Sequence, residues 1–265
     1  MRFYLKPLVI DAIMKFIKEK EQDISYVLAK KLVKMYNSKD TGRHLDEIVA
    51  WTIFQAGEQN LHNKATFLRT IENLHLTKED LQFAPIIRRA TELREGGMNL
   101  HTFLSNFDTG VYIPEEKAGP DVWVQTEKCL ILIGNKTSRC GPVASSIVQK
   151  NASTTDLETL FVDKNENAPP IRYQVHKHLY QRWKDKRMST IIRIHIVLPG
   201  GRDFKPSWSV QETKKELEIA PNEYASITVT EVIVNIDSTN IESTGLFGTN
   251  VILCFKGCWP TPSKH

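Results

Sequence analysis

The stretch that decides the fold runs from residue 119 to residue 136 and reads GPDVWVQTEKCLILIGNK. It holds two apolar runs of strand length, Val122 to Gln125 and Cys129 to Ile133, joined by a short polar link. Glu127 and Lys128 in that link predict a tight two-residue hairpin turn. We therefore expect two neighbouring antiparallel strands here.

The outer ends of this hairpin carry candidate catalytic side chains. Asp121 opens the first strand and Lys136 follows the second, so the hairpin brings them side by side. A carboxylate is a preferred ligand of Mg²⁺, and an ammonium group stabilises an anionic transition state. Position 134 lies two residues before Lys136, so an acidic side chain there would share the face of the lysine. The residue at this position is Gly134, which has no side chain to bind a metal. The alternative is a hairpin with a turn aspartate and a surface lysine.

Outward from the hairpin, the chain changes character near residue 106. Before that point the apolar spacing predicts helices, and after it strands and helices alternate. The first four helices are expected at Ile10 to Ile17, Ile24 to Met35, Arg43 to Phe54 and Asn60 to Leu74. A fifth helix is expected to start at Thr77, with Asp80 at the capping-box position. Pro85 interrupts this fifth helix, which resumes at Ile86 to Arg94. The later part predicts strands at Val111 to Ile113, Thr190 to Leu198 and Ile227 to Ile236, a turn-rich interval from Cys140 to Phe161 that becomes helical at Thr155, and a helix carrying Val175, Leu179 and Trp183.

This order indicates an α+β (or α/β) fold with a mixed central sheet flanked by helices. We expect a helical region at 1–105 packed on a core at 106–258, followed by a tail at 259–265. A length of 265 residues with 41% hydrophobic residues is compatible with one integrated domain.

Composition narrows the class of protein. The formal net charge of +4 is mildly basic, which permits a nucleic-acid partner without requiring one. The four cysteines lack the spacing of a zinc site, so free thiols are expected. No apolar run is long enough to span a membrane, and no signal peptide is apparent, so we expect an intracellular protein without a membrane partner.

Basic side chains form a candidate nucleic-acid surface. If the helix around residue 179 buries its apolar residues, its lysines lie on the opposite side and could contact phosphates. A solvated helix face is an equally good interpretation. His195 is interpreted as a partly buried structural histidine. The candidate contacts are Arg139, Lys150, Arg172, Lys177 and Lys184.

Several segments together resemble the nuclease-like domain of crinkler-type effectors, proteins of oomycetes and fungi related to transposon-borne nucleases. That family has an aliphatic-Pro segment, an Ala-Gly-Pro-Asp turn and a strand ending in Glu-x-Lys or Gln-x-Lys. The resemblance covers roughly residues 40 to 240. The matching pieces are Val111-Tyr112-Ile113-Pro114, Ala118-Gly119-Pro120-Asp121, Leu130 to Lys136, Ala152-Ser153-Thr154-Thr155-Asp156, Ile194 to Pro199, Val234 to Asn240 and Gly42-Arg43-His44-Leu45-Asp46.

The resemblance implies a restriction-endonuclease-like fold of the PD-(D/E)xK superfamily, with an N-terminal helical extension. It implies Mg²⁺- or Mn²⁺-dependent hydrolysis of DNA, with RNA as the alternative substrate, in the nucleus of a host cell. Asp121 and Asp46 would bind the metal, with Glu47 as the alternative to Asp46, and Lys136 would assist the water. Because of Gly134, a catalytically inactive domain that binds nucleic acid or protein is the second hypothesis. A structural domain is the third, and a homodimer is left open.

Overall fold

The computed structural model describes residues 26–27, 29–30, 41–58, 76–77, 80, 87–89, 109–114, 119–137, 145–160, 171–198 and 207–256. These residues form an α+β structure built around one mixed sheet. No helix in the described part of the chain is both long and apolar enough to cross a bilayer.

Strands and helices follow one another in the order expected of an α+β chain. The strands are β1 (Ile87–Arg89), β2 (Gly110–Ile113), β3 (Val122–Gln125), β4 (Cys129–Thr137), β5 (Thr190–Leu198), β6 (Trp208–Ala220) and β7 (Glu223–Asp237). The helices are α1 (Thr41–Glu58), α2 (Ser145–Ser153), α3 (Ile171–Lys184) and α4 (Thr249–Lys256), with a short 3₁₀ helix at Leu157–Thr159.

The described strands form one seven-stranded sheet in the order β1-β2-β3-β4-β5-β7-β6. From β2 to β4 the strands are antiparallel neighbours, and β4, β5 and β7 are parallel to one another. The parallel pair β4 and β5 requires a crossover, and α2 and α3 lie in that connection. β1 pairs in parallel with β2, and β6 pairs antiparallel with β7.

Side chains of β4 alternate between two hydrophobic cores, one on each face of the sheet. Ile131 and Ile133 belong to the core that α1 and α4 cover. Leu130 and Leu132 belong to the core that α3 and the 3₁₀ helix cover. Because both faces are covered, the central strands are apolar on both sides, as parallel strands in such layers are.

Several predicted elements are confirmed. Helix α1 and strands β2, β3 and β5 lie where the apolar spacing places them, and α3 buries Val175 and Leu179. The hairpin turn has Glu127 and Lys128 at its centre, because the amide of Thr126 donates to the carbonyl of Cys129 at 3.0 Å. β4 continues through Thr137, so Lys136 lies within the strand rather than after it.

Other predictions are wrong. Within the range Ile86 to Arg94, where a helix was expected, the described residues 87–89 form the strand β1, which pairs in parallel with β2. The other residues of that range lie outside the described part of the chain. The interval from Cys140, expected to be turn-rich, contains α2. β6 and α4 were not predicted at all. The helices predicted at Ile10 to Ile17 and Asn60 to Leu74 lie outside the described residues, as does most of Ile24 to Met35.

The expected capping box is present as hydrogen bonds. The amide of Thr77 donates to Oδ2 of Asp80 at 2.8 Å, and the amide of Asp80 donates to Oγ1 of Thr77 at 3.2 Å. Asp80 also pairs with Lys128 at 2.7 Å, which ties this segment to the hairpin turn. Together with the pairing of β1 with β2, this contact links residues that precede position 106 to the sheet.

Two cysteines of the described chain, Cys129 and Cys254, are free thiols, as expected. Cys129 is buried in the sheet, and its burial raises the pKa of the thiol to about 12. It is therefore an unreactive core residue.

A buried ion network stabilises the sheet on the face that α3 covers. Nη1 of Arg193 contacts Oε1 of Glu231 at 2.6 Å, and Nε donates to Thr155 at 3.2 Å. Lys215 joins the network through Asp156, with an Nζ to Oδ2 distance of 3.0 Å. Arg193 and Glu231 are both buried, so neither charge has water as a substitute partner.

Replacement of one partner in this network tests its contribution. Glu231→Ala removes the closer acidic partner of the buried Arg193 guanidinium, leaving Asp156 at 3.7 Å, and should lower the free energy of unfolding by about 3 kcal/mol. The half-exposed Glu216, paired with Lys214 at 3.6 Å, is the control, and Glu216→Ala should change the free energy by about 0–1 kcal/mol. Urea denaturation measures both. Equal effects of the two substitutions would show that the buried pair has no special role.

Candidate active site

Helix α1 delivers Asp46 to the sheet. Leu45, Val49 and Ala50 are buried against the strands, and α1 packs on β2 and β4. Asp46 lies one turn before Val49 and Ala50, so it shares the packed side of the helix. Its carboxylate therefore lies between the helix and the sheet rather than in open solvent.

The Gly119-Pro120-Asp121 turn delivers the second carboxylate. Gly119 has a φ of 147°, a conformation that L side chains rarely adopt, and Pro120 has a fixed φ. The amide of Asp121 then donates to the carbonyl of Ile133 at 2.9 Å. This hydrogen bond extends the β3–β4 pairing by one position and sets Asp121 beside Gly134.

Asn135 joins the two carboxylates. Its backbone amide donates to Oδ2 of Asp121 at 2.5 Å, and its side-chain Nδ2 donates to Oδ1 of Asp46 at 2.9 Å. Asp46 and Asp121 are far apart in the sequence, but each contacts this one residue of β4. The site is therefore assembled by the end of β4.

The two carboxylates perturb each other. Burial raises the pKa of Asp46 well above its ordinary value, and the nearby negative charge of Asp121 raises it further, against lowering by the hydrogen bond from Asn135 and the charge of Lys136. Burial also raises the pKa of Asp121, while Lys136 and the amide of Asn135 lower it. Two carboxylates held together in a low-dielectric setting favour binding of a cation or a proton.

Lys136 is the basic residue of β4, and it directly follows Asn135. Its positive charge lowers the pKa of both Asp46 and Asp121, so it lies within electrostatic range of the two carboxylates, on the face of β4 that position 134 shares. Glu47, the predicted alternative to Asp46, instead approaches Nδ1 of His44 at 3.7 Å on its own helix. Asp46 is the acid of α1 that accepts the side-chain hydrogen bond from Asn135.

The sheet neighbour of Gly134 on β5 is His195. Its side chain is buried, and its Nδ1 has no hydrogen-bond partner among the described residues. Burial, followed by the positive charge of Arg193, lowers the pKa of His195 to about 4. A neutral buried imidazole agrees with the predicted structural role.

The donor atoms at this site fit a hard divalent cation. The set consists of two carboxylates and Oδ1 of Asn135, a buried amide oxygen that has no hydrogen-bond partner in the described chain. Mg²⁺ and Mn²⁺ prefer such oxygen ligands. Within the described residues, no group of three or more His, Cys, Asp or Glu side chains could hold a metal, so a third ligand has to come from another residue type or from water.

The predicted nucleic-acid contacts that the structure describes lie on α2 and α3. Lys177 and Lys184 are exposed on α3, opposite its buried side, and Lys150 is exposed on α2. Arg172 is paired with Glu218, with an Nη2 to Oε2 distance of 2.8 Å, so its charge is already compensated. Arg139 lies outside the described residues.

The last turn of α3 lies at the far end of the hairpin. Nη2 of Arg182 donates to the carbonyls of Thr126 and Glu127 at 3.2 and 3.3 Å, beside the hairpin turn. Because β3 and β4 are antiparallel, that turn is at the opposite end of the strands from Asp121. Lys184, two residues after Arg182, is therefore remote from the carboxylates.

Sequence reasoning missed Asn135. The residue lies between Gly134 and Lys136, where the family pattern has an unspecified position, so its type carried no expectation. Only its contacts with Asp46 and Asp121 show its importance. A buried polar residue near the end of an otherwise apolar strand was the available hint.

Burial of the Asp46 carboxylate, together with the nearby negative charge of Asp121, should make the metal-free protein less stable at neutral pH. Because folding raises the pKa of Asp46 above its ordinary 3.8, the stability from this group is complete below 3.8 and is lost as pH rises through the folded pKa. Asp46→Asn should therefore raise the free energy of unfolding at pH 7 by about 0.5–2 kcal/mol, with a smaller gain toward pH 4. Urea denaturation in EDTA measures this change.

The exposed Asp185, which accepts a hydrogen bond from Gln181 at 2.8 Å, provides the matched control. Asp185→Asn should leave the pH profile of the protein unchanged. A lower stability of Asp46→Asn at pH 7 would contradict the unfavourable burial of this carboxylate.

Comparisons with known proteins assign no family to this chain. No family model, curated protein or solved structure matched it. The arrangement of Asp46, Asp121, Asn135 and Lys136 is therefore the basis on which its function is argued.

Proposed function

We propose that this chain hydrolyses phosphodiester bonds of DNA with Mg²⁺ or Mn²⁺, as a nuclease of the PD-(D/E)xK type. The observation that carries the proposal is the contact of Asp46 and Asp121 with the same residue of β4, next to Lys136. A mixed sheet with helices on both faces is the architecture that the resemblance to crinkler-type nuclease domains implies, and it supports the same assignment.

Each side chain has a separate role in this proposal. Asp121 and Asp46 bind the cation through carboxylate oxygens, which compensates the burial that raises the pKa of both groups and the charge of Asp121 that further raises the pKa of Asp46. When bound, the cation activates water and neutralises charge on the scissile phosphate. Lys136 orients the attacking water or stabilises the negative charge of the transition state.

Three substitutions test the catalytic assignment on purified protein with plasmid DNA. Asp121→Asn and Asp46→Asn should abolish cleavage in Mg²⁺ or Mn²⁺, because a carboxylate ligand is lost. Lys136→Met should slow cleavage by about 100- to 1,000-fold, the usual effect of removing one transition-state contact. Wild-type cleavage should stop in EDTA.

Two matched substitutions control this experiment. Glu47→Gln neutralises the neighbouring acid on α1, and Lys214→Met removes an exposed ammonium on β6, 70% of whose side-chain surface is accessible. Both variants should cleave DNA at the wild-type rate. Loss of activity in Glu47→Gln with retention in Asp46→Asn would exchange the assigned roles of these acids.

A second candidate function is a catalytically inactive domain that binds nucleic acid. Gly134 favours it, because the position that carries an acid in the family pattern has no side chain to bind metal. On this hypothesis Asp46 and Asp121 are remnants of a site, and affinity for DNA comes from exposed basic groups such as Lys177 and Lys184 on α3.

The salt dependence of DNA binding in EDTA tests the contribution of α3. Replacement of both Lys177 and Lys184 by alanine should reduce the slope of log affinity against log salt by about 2, or about 1 per lost phosphate contact. Fluorescence anisotropy with duplex DNA measures the slope, and Lys214→Ala is the control. An unchanged slope would make these lysines a solvated helix face, as the alternative interpretation holds.

A further inference from the structure

We infer that the side-chain amide oxygen of Asn135 is a third ligand of the divalent cation, beside the carboxylates of Asp46 and Asp121. The inference rests on the proposed function, because it concerns the same cation. It assigns a ligand at a position where the family pattern requires no particular residue.

The first observation is the unpaired state of this oxygen. Asn135 is only 6% exposed, and both of its nitrogens are used, one for Asp121 and one for Asp46. Its Oδ1 is buried and has no hydrogen-bond partner within the described residues. A buried amide oxygen without a partner is costly, and coordination of a cation would satisfy it.

The second observation is the face of the sheet on which Asn135 lies. Side chains of a strand alternate between faces, so Asn135 shares a face with Ile131 and Ile133. Those residues pack in the core that α1 covers, and α1 carries Asp46. A carboxylate at position 134 would project toward the opposite face, which α3 covers.

The third observation is the position of Oδ1 relative to both acids. Oδ1 belongs to the same planar amide group as Nδ2, the atom that contacts Asp46 at 2.9 Å. The backbone amide of the same residue contacts Asp121 at 2.5 Å. The side-chain amide of Asn135 is thus held at Asp46 while its backbone amide is held at Asp121, so the residue that both acids contact also offers an oxygen donor beside Asp46.

The chemistry of the amide suits this position. Amide carbonyl oxygens of Asn coordinate hard divalent cations as carboxylates do, but without charge. A neutral third ligand adds no further repulsion to Asp46 and Asp121 in the absence of metal. The same amide also donates a hydrogen bond to Asp46 through Nδ2, which a third carboxylate could not do.

Two substitutions separate a ligand from a residue that only positions the acids. Asn135→Leu keeps a side chain of similar shape and removes both the oxygen and the nitrogen. Asn135→Asp keeps an oxygen donor but removes the Nδ2 donor to Asp46. A residue that acts only through Nδ2 would be damaged by both changes, whereas a metal ligand tolerates the second.

The measurement is Mn²⁺ binding to the full chain, followed by the loss of the free Mn²⁺ signal in electron paramagnetic resonance. Asn135→Leu should weaken binding by about 10- to 100-fold, the usual effect of losing a group that supports a metal site. Asn135→Asp should bind Mn²⁺ at least as tightly as the wild type. Circular dichroism establishes that each variant is folded, and if Asn135→Leu does not fold, Asn135→Asp decides.

A remote substitution controls for the added charge. Asn222→Asp adds the same negative charge at the β6–β7 turn, where Asn222 has a φ of 60°. Gly134 pairs with His195 of β5, which in turn pairs with Asn235 of β7. Asn222 precedes Asn235 by 13 residues along the chain, which is on the order of 40 Å at the usual rise of a strand. Mn²⁺ binding by Asn222→Asp should equal that of the wild type.

The outcomes distinguish this inference from the proposed function. Wild-type Mn²⁺ affinity in Asn135→Leu, or a loss in Asn135→Asp as large as in Asn135→Leu, would overturn the ligand assignment. If the wild type then still cleaves DNA with metal, the proposed function stands without it. Absence of Mn²⁺ binding by the wild type would overturn both.

Discussion

The hydrogen bond from the backbone amide of Asn135 to the carboxylate of Asp121 is the interaction on which the site depends. β3 begins at Val122, so the strand itself offers no acceptor for the backbone amide of Asn135, which lies beyond the last position of β4 that pairs with β3. The Asp121 carboxylate takes that place. The requirement to satisfy a strand amide therefore also fixes the orientation of an acidic side chain, and the Nδ2 contact with Asp46 adds the helix α1 to the same point.

Placement of two carboxylates at one residue is unfavourable for the metal-free fold, and the surrounding sheet holds them there. β4 is the central strand, flanked by β3 and β5 and buried on both faces, so its end cannot move without disturbing both cores. Active sites commonly combine a rigid support with a strained or repulsive set of side chains, since such a set gains most when its ligand binds. The buried pair of Arg193 and Glu231 on the neighbouring strands belongs to this support.

The elements that sequence reasoning found are those with strong periodicity. The apolar runs of β3, β4 and β5 and the buried side of α3 have the spacing that local rules recognise. β6 was missed because it is an edge strand with only two buried residues, so it has no regular apolar alternation. α2 was missed because it is polar and leaves Ile147 exposed, and β1 because three residues became a strand only through pairing with β2.

The sequence by itself determined the hairpin, its turn at Glu127 and Lys128, and the placement of Asp121 opposite the end of β4, because these depend on neighbouring residues and on strand periodicity. It also pointed to Lys136, through the spacing of the motif. Only the tertiary structure singled out Asp46, rather than Glu47, as the acid that accepts a hydrogen bond from Asn135, and only it revealed the contacts of Asn135. That choice depends on how α1 docks on the sheet, a contact between segments 89 residues apart that no local pattern specifies.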